Sequence, residues 1–141
     1  ARWAIQQDIN PAPFFDKATA AYLQAGQLNS QDAEVYQVRA ELYYWQAQWY
    51  IKKGNNADKE ISEGLAMVKK ALSINNQAAE GTALAGALIL LQSQSISSPA
   101  RRREALKQAQ ELLAKALQMN SLLRRTYQPL LVEAQSKAQK G

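Results

Sequence analysis

Ala71-Leu72-Ser73-Ile74-Asn75-Asn76 has two near copies in the chain. Ala25-Gly26-Gln27-Leu28-Asn29-Ser30 precedes it by 46 residues, and Ala116-Leu117-Gln118-Met119-Asn120-Ser121 follows it by 45. The match extends backwards in register: Phe15, Ile61 and Leu106 correspond, as do Ala18, Gly64 and Ala109, and Tyr22, Val68 and Leu113. Up to the Ala of each motif the spacings are three, four and three, which is one face of an α-helix. Forward of the motif, Tyr36 meets Thr82, Ala40 meets Gly86 and Tyr43 meets Ile89. Small residues at matched points let two helices approach closely, and bulky ones fill the space beside them. A period of 45–46 residues made of two helices predicts an all-α chain of antiparallel helical hairpins, stacked as an α-solenoid.

Helix punctuation supports the division. Asn10 before Pro11 and Ser98 before Pro99 read as N-caps with proline at the first helical position. Lys52-Lys53-Gly54 reads as a helix end, with cations in the last turn and a glycine free to take the left-handed cap. Asn55-Asn56 offers a new cap, and Asp58 and Glu60 fall in the next first turn. Six main helices are predicted, at 12–28, 31–53, 57–74, 77–95, 99–119 and 122–138. Residues 1–9, with Trp3, Ile5 and Ile9, read as the stub of a preceding, truncated helix. Pro129 predicts a kink or a fresh helix start within the last.

Composition sets the outer limits. The 141 residues suit one domain, 1–141, and 6 Gly with 4 Pro are too few for a turn-rich β architecture. The absence of Cys and His removes disulfides, thiol nucleophiles, imidazole chemistry and nearly all zinc sites. The longest apolar run, Ala83 to Leu91, is broken by Gly86 and far shorter than the ~20 residues of a membrane span. No signal peptide is visible; a cytoplasmic location is expected with a periplasmic one left open, because lack of cysteine does not fix the compartment. Without an initiator Met, the chain reads as a piece of a longer protein.

Ala-x3-Tyr-x2-Ala-x4-Ser at 18–30 and the Ala-Leu-x-Ile-Asn closing of the second copy resemble the second helix of a tetratricopeptide repeat. Ala40-x2-Tyr43 and Gly86-x2-Ile89 resemble the small-then-bulky pair of its first helix. The common repeat is 34 residues. The longer period here requires each first helix, or the loop after it, to be extended. The longer-helix form is similar to helical-repeat tails that follow the catalytic domain of some bacterial serine/threonine protein kinases. Lys53-Gly54-Asn55-Asn56-Ala57, ahead of a helix ending in Ala-Leu-x-Ile-Asn, carries that likeness. The resemblance implies a protein-interaction scaffold, a regulatory or docking region of a larger bacterial protein.

No catalytic constellation, cofactor motif or metal-ligand set is legible. There is no G-x-G-x-x-G or P-loop, and a kinase catalytic loop is impossible without His. The pairs Glu60/Glu63 and Asp32/Glu34 read as solvated first turns of helices. Aromatics crowd one predicted helix: Tyr36, Tyr43 and Tyr50 recur every seven residues, with Tyr44, Trp45 and Trp49 on other sides. First helices line the concave surface of tetratricopeptide arrays. The resemblance therefore implies a peptide groove at Glu34, Gln37, Glu41, Tyr44 and Trp45, continued by Glu80, Ala83, Ala87 and Leu90. Gln37 and Glu41 replace the basic or Asn residues of the family's carboxylate clamp, which favours a partner segment with apolar and basic side chains.

Charge is uneven, since residues 71–141 hold the whole net +5. Arg101, Arg102, Arg103 and Lys107 form one basic cluster, and Arg124 with Arg125 another. Cations in a first turn oppose the helix dipole, so the arginine run reads as serving something other than helix stability. These positions carry the alternative reading, an anion- or nucleic-acid-binding module, although exposed aromatics interleaved with the cations are missing. Self-association through apolar surface around Trp3 and Ile5 is a third.

Overall fold

The structure, a computed structural model, describes residues 11–28 and 32–140. Asn10 as a cap, the Asn29-Ser30 turn and the stub with Trp3, Ile5 and Ile9 fall outside them. So do the side chains of Tyr22 and of the first motif, Ala25 to Leu28. Among the described residues the chain is all-α: α1 (Ala12–Leu28), α2 (Ala33–Lys52), α3 (Asp58–Ile74), α4 (Ala79–Ser93), α5 (Pro99–Met119), a 3-10 turn (Ser121–Leu123) and α6 (Arg124–Lys140). They gather into two compact units that part between Asn76 and Gln77.

In the first unit, α2 packs against α3 and α1 packs against α2. A five-residue connection turns α2 into α3. Gly54 adopts φ +77°, Gly54 N–H donates to Ile51 O at 3.0 Å and Asn55 N–H to Tyr50 O at 2.8 Å. This is a Schellman closure, and the left-handed residue is the glycine the sequence placed there. The new cap shifts by one residue from the simplest expectation. Ala57 occupies the cap position with no side-chain bond, while Asn56 Oδ1 accepts from Asp58 N–H at 2.8 Å. A buried methyl at Ala57 closes the base of the hairpin and the asparagine beside it satisfies an orphan donor.

The second unit has α4 against α5, α5 against α6, and a lighter contact of α4 with α6. Ser98 Oγ accepts from Arg101 N–H at 3.4 Å with Pro99 in the first turn of α5, so the predicted cap is present though long. The closest approach is at Gly86. A Cβ built there would lie 2.8 Å from Leu113 Cγ, 3.1 Å from the Ala109 carbonyl oxygen and 3.3 Å from Leu112 Cβ. Gly86 is the midpoint of α4 and Ala109 that of α5, and the short connection at 94–98 turns the chain back so that the two helices lie side by side. Gln110 Nε2 reaching Ala134 O at 3.5 Å gives α5 and α6 the same antiparallel relation. Every residue from Gly81 to Leu91 is buried, as expected of a helix apolar on all sides. Its buried hydroxyls bond locally: Thr82 donates to Ala78 O at 3.1 Å and Ser93 to Leu90 O at 2.6 Å.

The matched positions occupy matched settings in α3 and α5. Ile61, Gly64, Val68 and Ala71 form the buried stripe of one, and Leu106, Ala109, Leu113 and Ala116 that of the other. Asn75 N–H donates to Ala71 O and Asn120 N–H to Ala116 O, both at 2.9 Å. The two asparagines share an extended backbone, φ −139°, ψ 96° and φ −149°, ψ 102°.

Two expectations are corrected. The first helices are not uniformly elongated. α2 has 20 residues and α3 17, but α4 has 15 and α5 21, so the second hairpin carries its extra length in the second helix. Nor does Pro129 start a helix, because α6 begins at Arg124 and runs through it. The carbonyl that loses its partner belongs to Arg125. Both residues are exposed, so water can take the place of the missing N–H.

Candidate functional site

On α2 the expected groove residues divide by depth. Glu34 is exposed in the first turn, its N–H held by Asp32 Oδ1 at 3.0 Å. Gln37, Glu41 and Trp45 are half-buried, and the Trp45 indole N–H donates to Glu41 Oε1 at 3.4 Å. Tyr44 is buried, at 6% exposure. Its hydroxyl accepts from Gln48 Nε2 at 2.9 Å, and its ring meets Trp45 edge-on at 5.4 Å between centroids. Tyr44 lies with Ala40 and Ala47 on the stripe that faces inward, so it supports this surface rather than forming it. Of the four groove residues expected on α4 only Glu80 is exposed; Ala83, Ala87 and Leu90 are buried in helix packing, which corrects their placement on an open groove.

All six expected basic residues, Arg101, Arg102, Arg103, Lys107, Arg124 and Arg125, are exposed. The two clusters begin successive antiparallel helices. They therefore lie at opposite ends of the α5–α6 pair, about 30 Å apart for a helix of this length. Lys137 and Lys140, in the last turn of α6, come round to the Arg101–Lys107 end. Arg102 also has a structural task that a charge-only reading misses. Its Nε and Nη2 donate to Ile96 O at 3.0 and 2.8 Å, and Nη2 to Ser97 O at 3.4 Å, fastening the α4–α5 connection to α5.

An open hollow of about 460 Å³, which no sequence spacing foretold, lies within the first unit. Asp16, Thr19, Ala20 and Leu23 of α1 form one wall, Tyr43 and Gln46 of α2 the floor, and Lys59, Glu60 and Glu63 of α3 the other wall. Leu23 and Tyr43 make it partly apolar, and three carboxylates against one lysine make it acidic. Among the described residues no group of three metal-ligating side chains is close enough to share an ion, so the charge is spread around the rim. The spacing of Glu60 and Glu63 was visible, but only the packing of three helices shows what they border.

Among the described residues no helix is long and apolar enough to cross a membrane. Compared with known proteins, the chain matches no family model, no curated protein and no solved structure.

Proposed function

We propose that the chain is a protein-binding module of tetratricopeptide-like type, a regulatory or docking region in which successive hairpins stack and α2 offers the recognition face. The observation that carries this is the equivalence of α3 and α5: the same buried stripe, and the same Asn closure on a fully buried Ala, recur one repeat apart. The contact of α4 with both α5 and α6 adds support, because a first helix in such a stack touches its own partner and the next first helix. The likeness to repeat tails of bacterial serine/threonine kinases suggests the setting. Glu34, Glu41 and Trp45 would recognise a segment carrying apolar and basic side chains.

A peptide array comparing basic–apolar with acidic sequences tests the reading. The chain should retain the basic–apolar set, and Glu34→Lys with Glu41→Lys should lose it, with helical circular dichroism intact in both. Retention unaffected by the reversal would place recognition elsewhere, and no retention at all would remove the protein-binding reading. The exposure of all six cations favours anion binding as a second reading. Nucleic-acid affinity should then fall steeply between ~50 and 200 mM salt through counterion release.

A further inference from the structure

The hollow of the first unit combines apolar side chains, Leu23 and Tyr43, with three carboxylates, Asp16, Glu60 and Glu63. Its volume, about 460 Å³, lies within the ~300–1,000 Å³ of ligand pockets. Leu23 on its wall is 44% exposed, an apolar side chain left facing water. Asp16, Glu60 and Glu63 have no hydrogen-bond or ion-pair partner among the described residues. The second unit displays the complementary shape. Leu122 is 87% exposed, the most exposed large apolar side chain described. It is held out on the Ser121–Leu123 turn, where Asn120 Oδ1 accepts from Leu122 N–H at 3.0 Å. Arg124 and Arg125 follow it, both exposed.

We propose that Leu122 of a second copy seats in this hollow, with its Arg124 and Arg125 paired to Glu60, Glu63 and Asp16. Leucine burial supplies the affinity and the charge pairs set orientation. Knob and hollow are different surfaces, so the contact is heterologous. Each copy joined this way keeps one knob or one hollow free, and association grows head to tail unless a ring closes. The inference deepens the protein-binding reading by naming a partner, yet it uses a surface apart from Glu34 and Glu41. Failure here leaves the recognition face of α2 untouched.

Sedimentation velocity of the whole chain, from micromolar to millimolar concentration at low and high salt, provides the test. Association should grow with concentration and weaken with salt. A knob variant, Leu122→Ser with Arg125→Gln, and a hollow variant, Glu60→Lys with Glu63→Lys, should each weaken it about tenfold or more, or 1.4 kcal/mol. Leu122, Arg125 and Glu63 are exposed and Glu60 is half-buried, and circular dichroism verifies the fold. Mixing the two variants should produce a discrete one-to-one dimer, because the knob variant keeps an intact hollow and the hollow variant an intact knob. A wild-type chain monomeric throughout overturns the proposal. So does association indifferent to either variant, or a basic–apolar peptide filling the hollow of a chain that does not self-associate.

Discussion

Gly86 shows how a single side chain can reverse a general preference. Replacing a helical glycine by alanine ordinarily gains about 1 kcal/mol. Here the added methyl meets Leu113 and, more seriously, the backbone oxygen of Ala109 at 3.1 Å, which cannot rotate away. Gly86→Ala is therefore expected to destabilise the chain by ~1–3 kcal/mol in urea unfolding, and a gain would contradict the close approach. The sequence revealed this position because Ala40 matched it one repeat earlier, and two small residues at one register point imply contact. The contact that Arg102 makes was not legible. Helix-dipole reasoning sees only its charge, whereas the guanidinium reaches back six residues to Ile96 O. Arg102→Met should speed amide exchange over residues 94–98 and cost below ~1 kcal/mol, since the bonds lie at the surface. Unchanged exchange would remove the clamp.

Helices whose pattern has one solution were legible, and α2, whose pattern has two, was not. Val68 and Leu113, with the small residues around them, allow only one inward face for α3 and α5. In α2, aromatics occur on several sides, and the stripe Tyr36, Tyr43 and Tyr50 stands out by its seven-residue interval. Yet the residues packed inward are Ala40, Tyr44, Ala47 and Trp49, while Tyr36, Tyr43 and Tyr50 are only half-buried. Tyr44→Ala should accordingly cost about 3 kcal/mol or more and Tyr43→Ala clearly less, by chemical denaturation. Equal costs would show that the inward face has been misjudged. In α4, burial on all sides makes Leu88→Ala expensive at ~2–5 kcal/mol, whereas Val132→Ala on the exposed side of α6 should stay within ~0.5 kcal/mol.

Among the described residues, the 45–46-residue period together with the capping residues predicted the six main helices and their order, with ends within about two residues. The hollow stayed invisible because its walls come from α1 and α3, some forty residues apart in sequence, and no local spacing brings Asp16 beside Glu63. The basic positions were legible as residues but not as a surface, since antiparallel pairing sends Arg101 and Arg124 to opposite ends. The proposed tandem stacking of the two hairpins can be tested by pulsed electron spin resonance. The chain has no cysteine, so label pairs at Glu34→Cys with Glu80→Cys, and at Lys70→Cys with Lys115→Cys, are clean and sit at matched exposed positions one repeat apart. Like helices in neighbouring repeats are separated by one to two helix diameters, which predicts a single narrow distance below about 25 Å for each pair. Broad distributions, or separations beyond about 40 Å, would mean that the hairpins repeat in sequence without stacking in space.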